Sequence, residues 1–372
     1  MANNSEFYRG KKKRSGPAFI ISLIVLSVLA FVILMFYGLQ KYIVISHDGL
    51  SLDIPLLSEN SGKTVTDESG ETKKVYETVN AELVIGETDY SSIAASAGED
   101  LDQLRSIFVP AAKVTPEGVA EYVERLSAGN ALTLEVKPSS GQLVWASNSD
   151  IALGYGTGGT TDLASIVSSI KGGEKSVWLV ASVSCCIDDL LASRYSQLTL
   201  KSTDGKSYVG DSGAWLDPFA APLGRYLCQL CAELSAMGFD EIVLTELRQP
   251  DVQDVQFTYE SGNSSPTALS AVSGLALDIV RYMRSDDIRV SVELNSSSAL
   301  SSGKDSLSGQ DAELFFKIFD RVYYPCAASD AATALTAAQS YITIGEPESR
   351  FVPVCTGNYP ESGSWMLEDN AA

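Results

Sequence analysis

The feature that most constrains the fold of this chain is a regular alternation of short β-branched runs with helix-like segments, from about residue 82 onward. Repeated strand–helix alternation indicates a parallel sheet whose faces are covered by helices. Seven strands are clear, at 106–110, 131–138, 176–184, 241–248, 288–295, 320–326 and 350–357. The segment 364–369 could supply an eighth. Seven or eight such units over about 290 residues predict an α/β fold, a (β/α)8 TIM barrel spanning 82–372.

An open, doubly wound sheet is the alternative architecture for the same alternation. That fold would favour a glycine-rich phosphate-binding loop directly after a strand. The stretch GYGTGG at 154–159 is rich in glycine, but it follows no clear strand and does not match a dinucleotide-binding fingerprint. We therefore interpret it as an ordinary loop, and no organic cofactor is indicated.

An uncharged apolar segment precedes the predicted barrel. Residues 17–39 carry no charge and would form a helix about 35 Å long, which is enough to cross the hydrocarbon core of a bilayer. The run is longer than a signal-peptide core of about 7–15 residues, and the sequence after it is a poor cleavage site. Residues 1–16 are basic, so the positive-inside rule places this tail in the cytoplasm. The sequence predicts a single-pass plasma-membrane anchor with the barrel on the extracytoplasmic side.

Two short segments connect the predicted anchor to the predicted barrel. In residues 40–55, apolar residues alternate on either side of Asp48 and Gly49, a dipeptide that suits a tight turn, so we expect a β-hairpin. Residues 56–81 are rich in Ser, Thr, Gly and Glu. This composition is typical of a flexible polar stalk.

Charge and histidine content limit the function of the chain. The formal net charge is −20, and because residues 1–16 carry +4, the remainder carries −24. Such a surface repels phosphate backbones, so we expect no nucleic-acid binding. The only histidine is His47, near the predicted anchor, so the barrel cannot contain a Ser-His-Asp triad. Cys228 and Cys231 have CxxC spacing but lie in an apolar helical pattern without a second pair, so we predict core thiols and no metal site.

Carboxylates remain as the candidates for chemistry. Glu135, Glu246 and Glu293 fall near the carboxyl ends of predicted strands, and Asp188 lies in the loop after the third strand. The carboxyl ends of barrel strands converge on one mouth. Glycoside hydrolysis needs two carboxyl groups, about 5–5.5 Å apart for retention and about 6.5–9.5 Å apart for inversion. We therefore predict Glu135, Glu246 and Glu293 as catalytic residues.

Two predicted strands carry an acid and a base two positions apart. Lys137 follows Glu135 and Arg248 follows Glu246, so each pair shares a face of a regular strand. The first pair is either an ion pair that orients the loop or a substrate-contacting acid held ionised by Lys137. An ionised Glu246 beside Arg248 suits a nucleophile or charge stabiliser, which leaves Glu293 as the candidate acid.

Three segments of the chain resemble a bacterial family of glycoside hydrolase domains that were first described as domains of unknown function. Residues 215–250 are similar to the family pattern W-x-D-P, a helix, then G-F-D-E-I-x-x-D-Y-x-R-F-P. Residues 132–147 resemble its D-x-K-x-x-x-G segment, and residues 308–326 resemble its G-Q-D…D…Y-P-S segment. The resemblance covers about 105–357 in the same order. It implies a TIM barrel, distantly like the α-amylase type, that acts on a polysaccharide or cell-wall glycan.

Several residues of these segments are candidates for contact with a sugar. Sugar rings present apolar C–H faces that stack on aromatic planes, so an aromatic side chain near the mouth is either packing or a stacking platform. The predicted substrate-binding residues are Lys137, Trp215, Asp217, Arg248 and Tyr324.

The chain departs from the family pattern at one position that matters for activity. The acid that follows G-F-D-E-I in the family falls on Thr245 here, and Glu246 is its neighbour. On a regular strand Glu246 would face the opposite side, although a β-bulge could re-aim it. Two hypotheses follow: a hydrolase with a rearranged acid pair, or a catalytically inactive carbohydrate-binding or cell-envelope scaffold protein.

Overall fold

The computed structural model describes residues 97–98, 100–126, 131–259 and 267–368, and the backbone of four short strands between residues 43 and 75. The chain divides into two units, Met1–Gly86 and Glu87–Ala372. The predicted anchor at 17–39 lies outside the described residues. Among the residues that are described, no helix has the length and apolar character needed to cross a membrane.

The first unit contains two antiparallel strand pairs. Ile43–Ser46 pairs with Gly49–Leu52, within the segment where the sequence predicts a hairpin. Lys63–Thr66 pairs with Thr72–Val75. This second pair lies within the segment 56–81 that was predicted to be a flexible stalk, so that part of the stalk contains paired strands.

The second unit contains a closed barrel of eight parallel strands. Each strand pairs with the next along the chain, and the last pairs with the first through Trp365 and Arg105. The predicted TIM-barrel fold is confirmed, and the tentative eighth strand is real. In chain order the strands are β1 (Arg105–Val109), β2 (Ala131–Lys137), β3 (Trp178–Ser184), β4 (Glu241–Thr245), β5 (Arg289–Glu293), β6 (Val322–Pro325), β7 (Phe351–Thr356) and β8 (Trp365–Glu368).

Helices connect most of the strands, but the β7–β8 connection at 357–364 contains none. Local signals set their ends: Thr267 accepts the N–H of Ser270 at one helix start, and Gly238 ends another with φ of 95°. The helices are α1 (Pro116–Arg125), α2 (Asp150–Tyr155), α3 (Leu163–Lys171), α4 (Asp189–Arg194), α5 (Ala221–Met237), α6 (Ala268–Met283), α7 (Ser297–Ser302), α8 (Ala312–Ile318), α9 (Ala331–Ala338) and α10 (Pro347–Arg350).

Both faces of the strands are buried, which explains their nearly continuous apolar sequences. In β4, Val243 belongs to a small apolar cluster shared by side chains of several other strands, whereas Ile242 and Leu244 belong to the larger cluster that includes the helices. Cys228 and Cys231 on α5 also pack in the larger cluster as free thiols. The prediction that these cysteines are core residues is confirmed.

A buried polar network joins the amino ends of the strands. Glu241, the first residue of β4, has no exposed surface and forms an ion pair with Arg321. Its carboxylate also accepts hydrogen bonds from the hydroxyls of Ser291 (2.6 Å) and Tyr323 (3.0 Å). The indole N–H of Trp178 donates to the same carboxylate at 3.1 Å. Glu241 therefore holds four strands together at the end of the barrel opposite the mouth, where stability rather than chemistry is usually determined.

Candidate functional site

Four glutamates lie at the carboxyl ends of the strands. Glu135 is on β2, Glu246 directly follows β4, Glu293 ends β5 and Glu368 ends β8. The first three are the predicted catalytic residues, and Glu368 was missed because its strand was only tentative. No group of three or more His, Cys, Asp or Glu side chains in the described part of the chain is arranged to hold a metal ion.

Glu293 lies in an environment that favours its protonated form. Burial raises the pKa of Glu293 to about 7, and the negative charges of Glu246 and Glu368 act in the same direction. Asn295 opposes the shift, because its Nδ2 donates a hydrogen bond to Oε1 of Glu293 at 2.5 Å, and so does the positive charge of Arg248. A carboxyl group with a pKa of about 7 is half protonated near pH 7, so a substantial fraction can act as a general acid there.

The backbone at the end of β4 re-aims Glu246. The sequence predicted a strand over 241–248, but the strand ends at Thr245. Glu246 then adopts a φ of 51°, in the left-handed region that non-glycine residues rarely occupy. This turn breaks the alternation that would otherwise direct Glu246 away from the mouth. Strained backbone of this kind occurs preferentially at functional sites.

Arg248 forms the expected ion pair with Glu246. Its Nε donates to Oε2 of Glu246 at 2.6 Å, and both side chains are partly exposed. The guanidinium carbon also lies 5.0 Å from the ring centre of Trp215, a cation–π distance. A hydrogen-bonded and stacked guanidinium has little freedom, so Arg248 holds the carboxylate of Glu246 in place.

The predicted pair of Glu135 with Lys137 is wrong. The pairing of β2 with β3 shifts register between these two residues, so they no longer share a regular strand face. Glu135 instead accepts the N–H of Ala111 at 2.9 Å. Glu135 also remains close enough to Glu368 for its charge to act, after burial, in raising the pKa of Glu368. Glu135 therefore belongs to the acidic mouth without a cationic partner on its own strand.

Lys137 is a structural residue, not a lining residue. Its ammonium lies 2.8 Å from Oδ2 of Asp188, and neither side chain has exposed surface. Asp188 also accepts the N–H of Leu191 at 2.7 Å and thereby caps α4. Gly141 is required beside this pair, because its φ is 85° and a Cβ there would lie 1.8 Å from Oδ1 of Asp188. Lys137 and Gly141 of the K-x-x-x-G segment thus hold the loop after β2 against Asp188 in the loop after β3.

The other predicted substrate-binding residues differ in exposure. Trp215 and Asp217 are each only 3% exposed, so neither presents a surface to a sugar in this conformation. Trp215 lies against Arg248, and Asp217 accepts the N–H of Phe219 at 2.9 Å. Tyr324 keeps part of its surface exposed and packs beside the ring of Phe351, with 6.0 Å between ring centres. Arg248 and Tyr324 are therefore the predicted contacts that remain accessible.

A closed parallel barrel with several carboxyl groups at its mouth is compatible with the two-carboxylate chemistry of glycoside hydrolases. The family described as "Putative glycosyl hydrolase domain" matches residues 106–339, well over half of the chain. The chain belongs to this family, as its sequence motifs indicate.

Similarity to individual proteins and solved structures is distant. No curated protein matches the chain in sequence. The PgaB (BpsB) glycoside hydrolase domain from Bordetella bronchiseptica is 15% identical with a TM-score of 0.49, over 72% of this chain and 94% of that one. A hypothetical protein from Ruminiclostridium thermocellum is 19% identical with a TM-score of 0.43, over 50% of this chain and 96% of that one. A β-N-acetylhexosaminidase from Bacteroides fragilis is 10% identical with a TM-score of 0.42, over 68% and 50%.

Proposed function

We propose that this protein is a membrane-anchored glycoside hydrolase that cleaves a polysaccharide or cell-wall glycan by a two-carboxylate mechanism. The observation that carries the proposal is the contrast between two neighbouring acids. Burial raises the pKa of Glu293 to about 7, whereas Glu246 forms an ion pair with Arg248. One carboxyl group is thus suited to carry a proton and the other to carry a negative charge, as glycoside hydrolysis requires.

The two acids divide the reaction between them. Glu293 donates its proton to the glycosidic oxygen as the bond from that oxygen to the anomeric carbon breaks, so the leaving group departs as an alcohol. Positive charge develops on the sugar ring, and the carboxylate of Glu246 either attacks the anomeric carbon or removes a proton from an attacking water. Glu135 and Glu368 add negative potential around the developing cation. Water completes the reaction on either route and leaves a new reducing end.

Turnover is the direct test of this proposal. The full chain, purified in mild detergent, is incubated with a panel of soluble polysaccharides, including amino-sugar and neutral glycans, and new reducing ends are measured. We expect reducing ends to accumulate with at least one polymer. If every polymer stays intact while at least one binds with a measurable Kd, the hydrolase assignment fails.

The pH dependence of the reaction follows from Glu293. Its protonated form is the active one, and its pKa of about 7 means that half of the enzyme is in that form near pH 7. We expect kcat/KM to fall tenfold for each pH unit well above pH 7, because the protonated fraction falls in that proportion. A rate profile that is flat from pH 6 to pH 9 would contradict the general-acid role.

Thr245 favours a second candidate function, carbohydrate binding without hydrolysis. It occupies the position at the end of β4 where the family motif has an acid, and threonine cannot act as a carboxylate nucleophile. In that case the mouth would serve as a glycan-binding surface near the membrane. Replacing Thr245 by Asp discriminates the two: a gain of turnover in an otherwise inactive protein would identify an inactive relative of a hydrolase.

The membrane anchor is proposed from the sequence of residues 17–39. We expect the full chain to partition into the membrane fraction and to resist extraction with high salt and carbonate, because an apolar helix of this length is held by hydrophobic transfer. Protease added to intact cells stripped of their wall should remove the barrel and leave the basic tail protected. Recovery of the full chain in the soluble fraction would refute the anchor.

A further inference from the structure

Polar side chains after β5 form a hydrogen-bonded chain that ends on Glu293. Gln310 lies just before α8 and has no exposed surface. Its Oε1 accepts the backbone N–H groups of Asn295 at 2.9 Å and of Ser296 at 3.0 Å. Because backbone N–H groups can only donate, they fix which end of the Gln310 carboxamide faces them.

The opposite end of Gln310 faces acceptors. Its Nε2 donates to the carbonyl oxygens of Glu293 at 3.0 Å and of Leu247 at 3.4 Å, so one side chain links the ends of β4 and β5. The same nitrogen lies 3.5 Å from Oδ1 of Asn295. This contact leaves the Nδ2 of Asn295 to donate to Oε1 of Glu293 at 2.5 Å. The orientation of the Asn295 amide thus follows from that of Gln310.

The hydrogen bond from Asn295 determines which oxygen of Glu293 holds a proton. The carbonyl oxygen of a neutral carboxyl group accepts a hydrogen bond better than its hydroxyl oxygen does, so the amide of Asn295 at Oε1 favours the proton on Oε2. We propose that Asn295 and Gln310 are positioning residues that fix which oxygen of Glu293 carries the proton. This inference rests on the proposed general-acid role of Glu293. The other charged groups that act on Glu293 are Glu246, Glu368 and Arg248.

Two substitutions test the proposal. Asn295→Leu removes the amide donor, and Gln310→Glu keeps the acceptor for the two backbone N–H groups while removing the donor that orients Asn295. Asn295→Leu removes a hydrogen bond that favours ionised Glu293, and Gln310→Glu removes the contact that orients the Asn295 amide to make that bond. We expect Glu293 to titrate about one to two pH units higher, because hydrogen bonds to charged groups are among the stronger ones. The basic limb of kcat/KM should move by the same amount, and kcat at pH 6 should fall roughly tenfold because the proton is less well aimed.

The titration is measured by NMR on the full chain with 13C in the glutamate carboxyl groups. The resonance of Glu293 is identified by its loss in Glu293→Gln. Gln339→Glu, at an exposed position at the end of α9, controls for the added net charge and should leave the titration unchanged, and Asn295→Leu separates the hydrogen bond from the local charge that Gln310→Glu adds. An unchanged titration of Glu293 in Asn295→Leu would overturn the proposal, because that variant adds no charge near Glu293.

The NMR measurement does not require turnover, so the failure of this inference differs from the failure of the proposed function. A titration that moves upward in a protein without hydrolysis supports the positioning chain and counts against the hydrolase. If the protein hydrolyses a glycan but the titration of Glu293 does not move, the hydrolase assignment stands and the positioning role of Asn295 and Gln310 fails. Because Asn295 is partly exposed and Gln310 is not, Asn295→Leu keeps the test decisive if Gln310→Glu does not fold.

Discussion

Glu293→Gln should reduce kcat about 10²–10⁴-fold while changing KM little, because the variant keeps the shape of the side chain but has no proton to donate. The residual activity should lose the decline above pH 7, since the group responsible for it is absent. The measurement is the initial rate of formation of reducing ends with the polymer that the wild-type chain cleaves, from pH 5 to pH 9.

Stability provides the control for this prediction. The pKa of Glu293 is raised from 4.5 to about 7 in the folded protein, so its contribution to stability is complete at low pH and is lost as the pH rises through 7. Glutamine has no such dependence, and Glu293→Gln should therefore unfold at the same or a higher temperature than wild type at pH 8. Glu174→Gln, at an exposed position after α3, should leave both rate and stability unchanged. Full activity in Glu293→Gln would remove Glu293 from the mechanism.

The barrel itself could be predicted because its signal is local. Each strand is buried on both faces and therefore has a β-branched or apolar run that stands out between helical segments. The eighth strand had the weakest signal, since Trp365–Glu368 is short and near the end of the chain, and Glu368 was overlooked with it. An acid at the end of a doubtful strand is the signal that could have identified this residue.

The details of the mouth depend on backbone geometry that the sequence does not signal. Nothing in the letters LTELR marks the left-handed conformation of Glu246, because the apolar and polar pattern continues past the true end of β4. No sequence pattern indicates the register shift between Glu135 and Lys137 either. The partner of Lys137 is Asp188, which lies on another loop, so that only the folded barrel brings them together. Sequence reasoning identified Glu135, Glu246 and Glu293 by strand position and the pairing of Glu246 with Arg248, but it did not identify the partners of Glu135 and Lys137.

Glu241 in the G-F-D-E-I motif shows the same limit of sequence reasoning. Glu241 matches the family pattern and begins the predicted strand 241–248, which places it at the amino end, but the sequence does not reveal its partners. Its partners come from β3, β5 and β6 and from the residue before β6, far apart in sequence. A motif can therefore identify a family through residues that hold the fold together, while the chemistry depends on less regular positions near the mouth.

Glu241→Gln should lower the free energy of unfolding by about 3–5 kcal/mol. The substitution leaves the buried guanidinium of Arg321 without its carboxylate, and breaking one side of a buried ion pair leaves an uncompensated charge. The hydroxyls of Ser291 and Tyr323 lose a charged acceptor at the same time. Urea unfolding followed by circular dichroism measures the difference.

Two further variants separate the buried network from a general effect of charge. Glu174→Gln removes the same charge from an exposed position after α3 and should change the free energy of unfolding by less than about 0.5 kcal/mol. The double variant Glu241→Gln with Arg321→Met should recover part of the loss, because both buried charges are removed while an amide oxygen at position 241 can still accept from the hydroxyls of Ser291 and Tyr323. If Glu241→Gln unfolds at the same urea concentration as wild type, the network does not hold the amino ends of the strands. Because the mouth lies at the opposite end, folded Glu241→Gln protein should retain the pH dependence of hydrolysis that Glu293 sets.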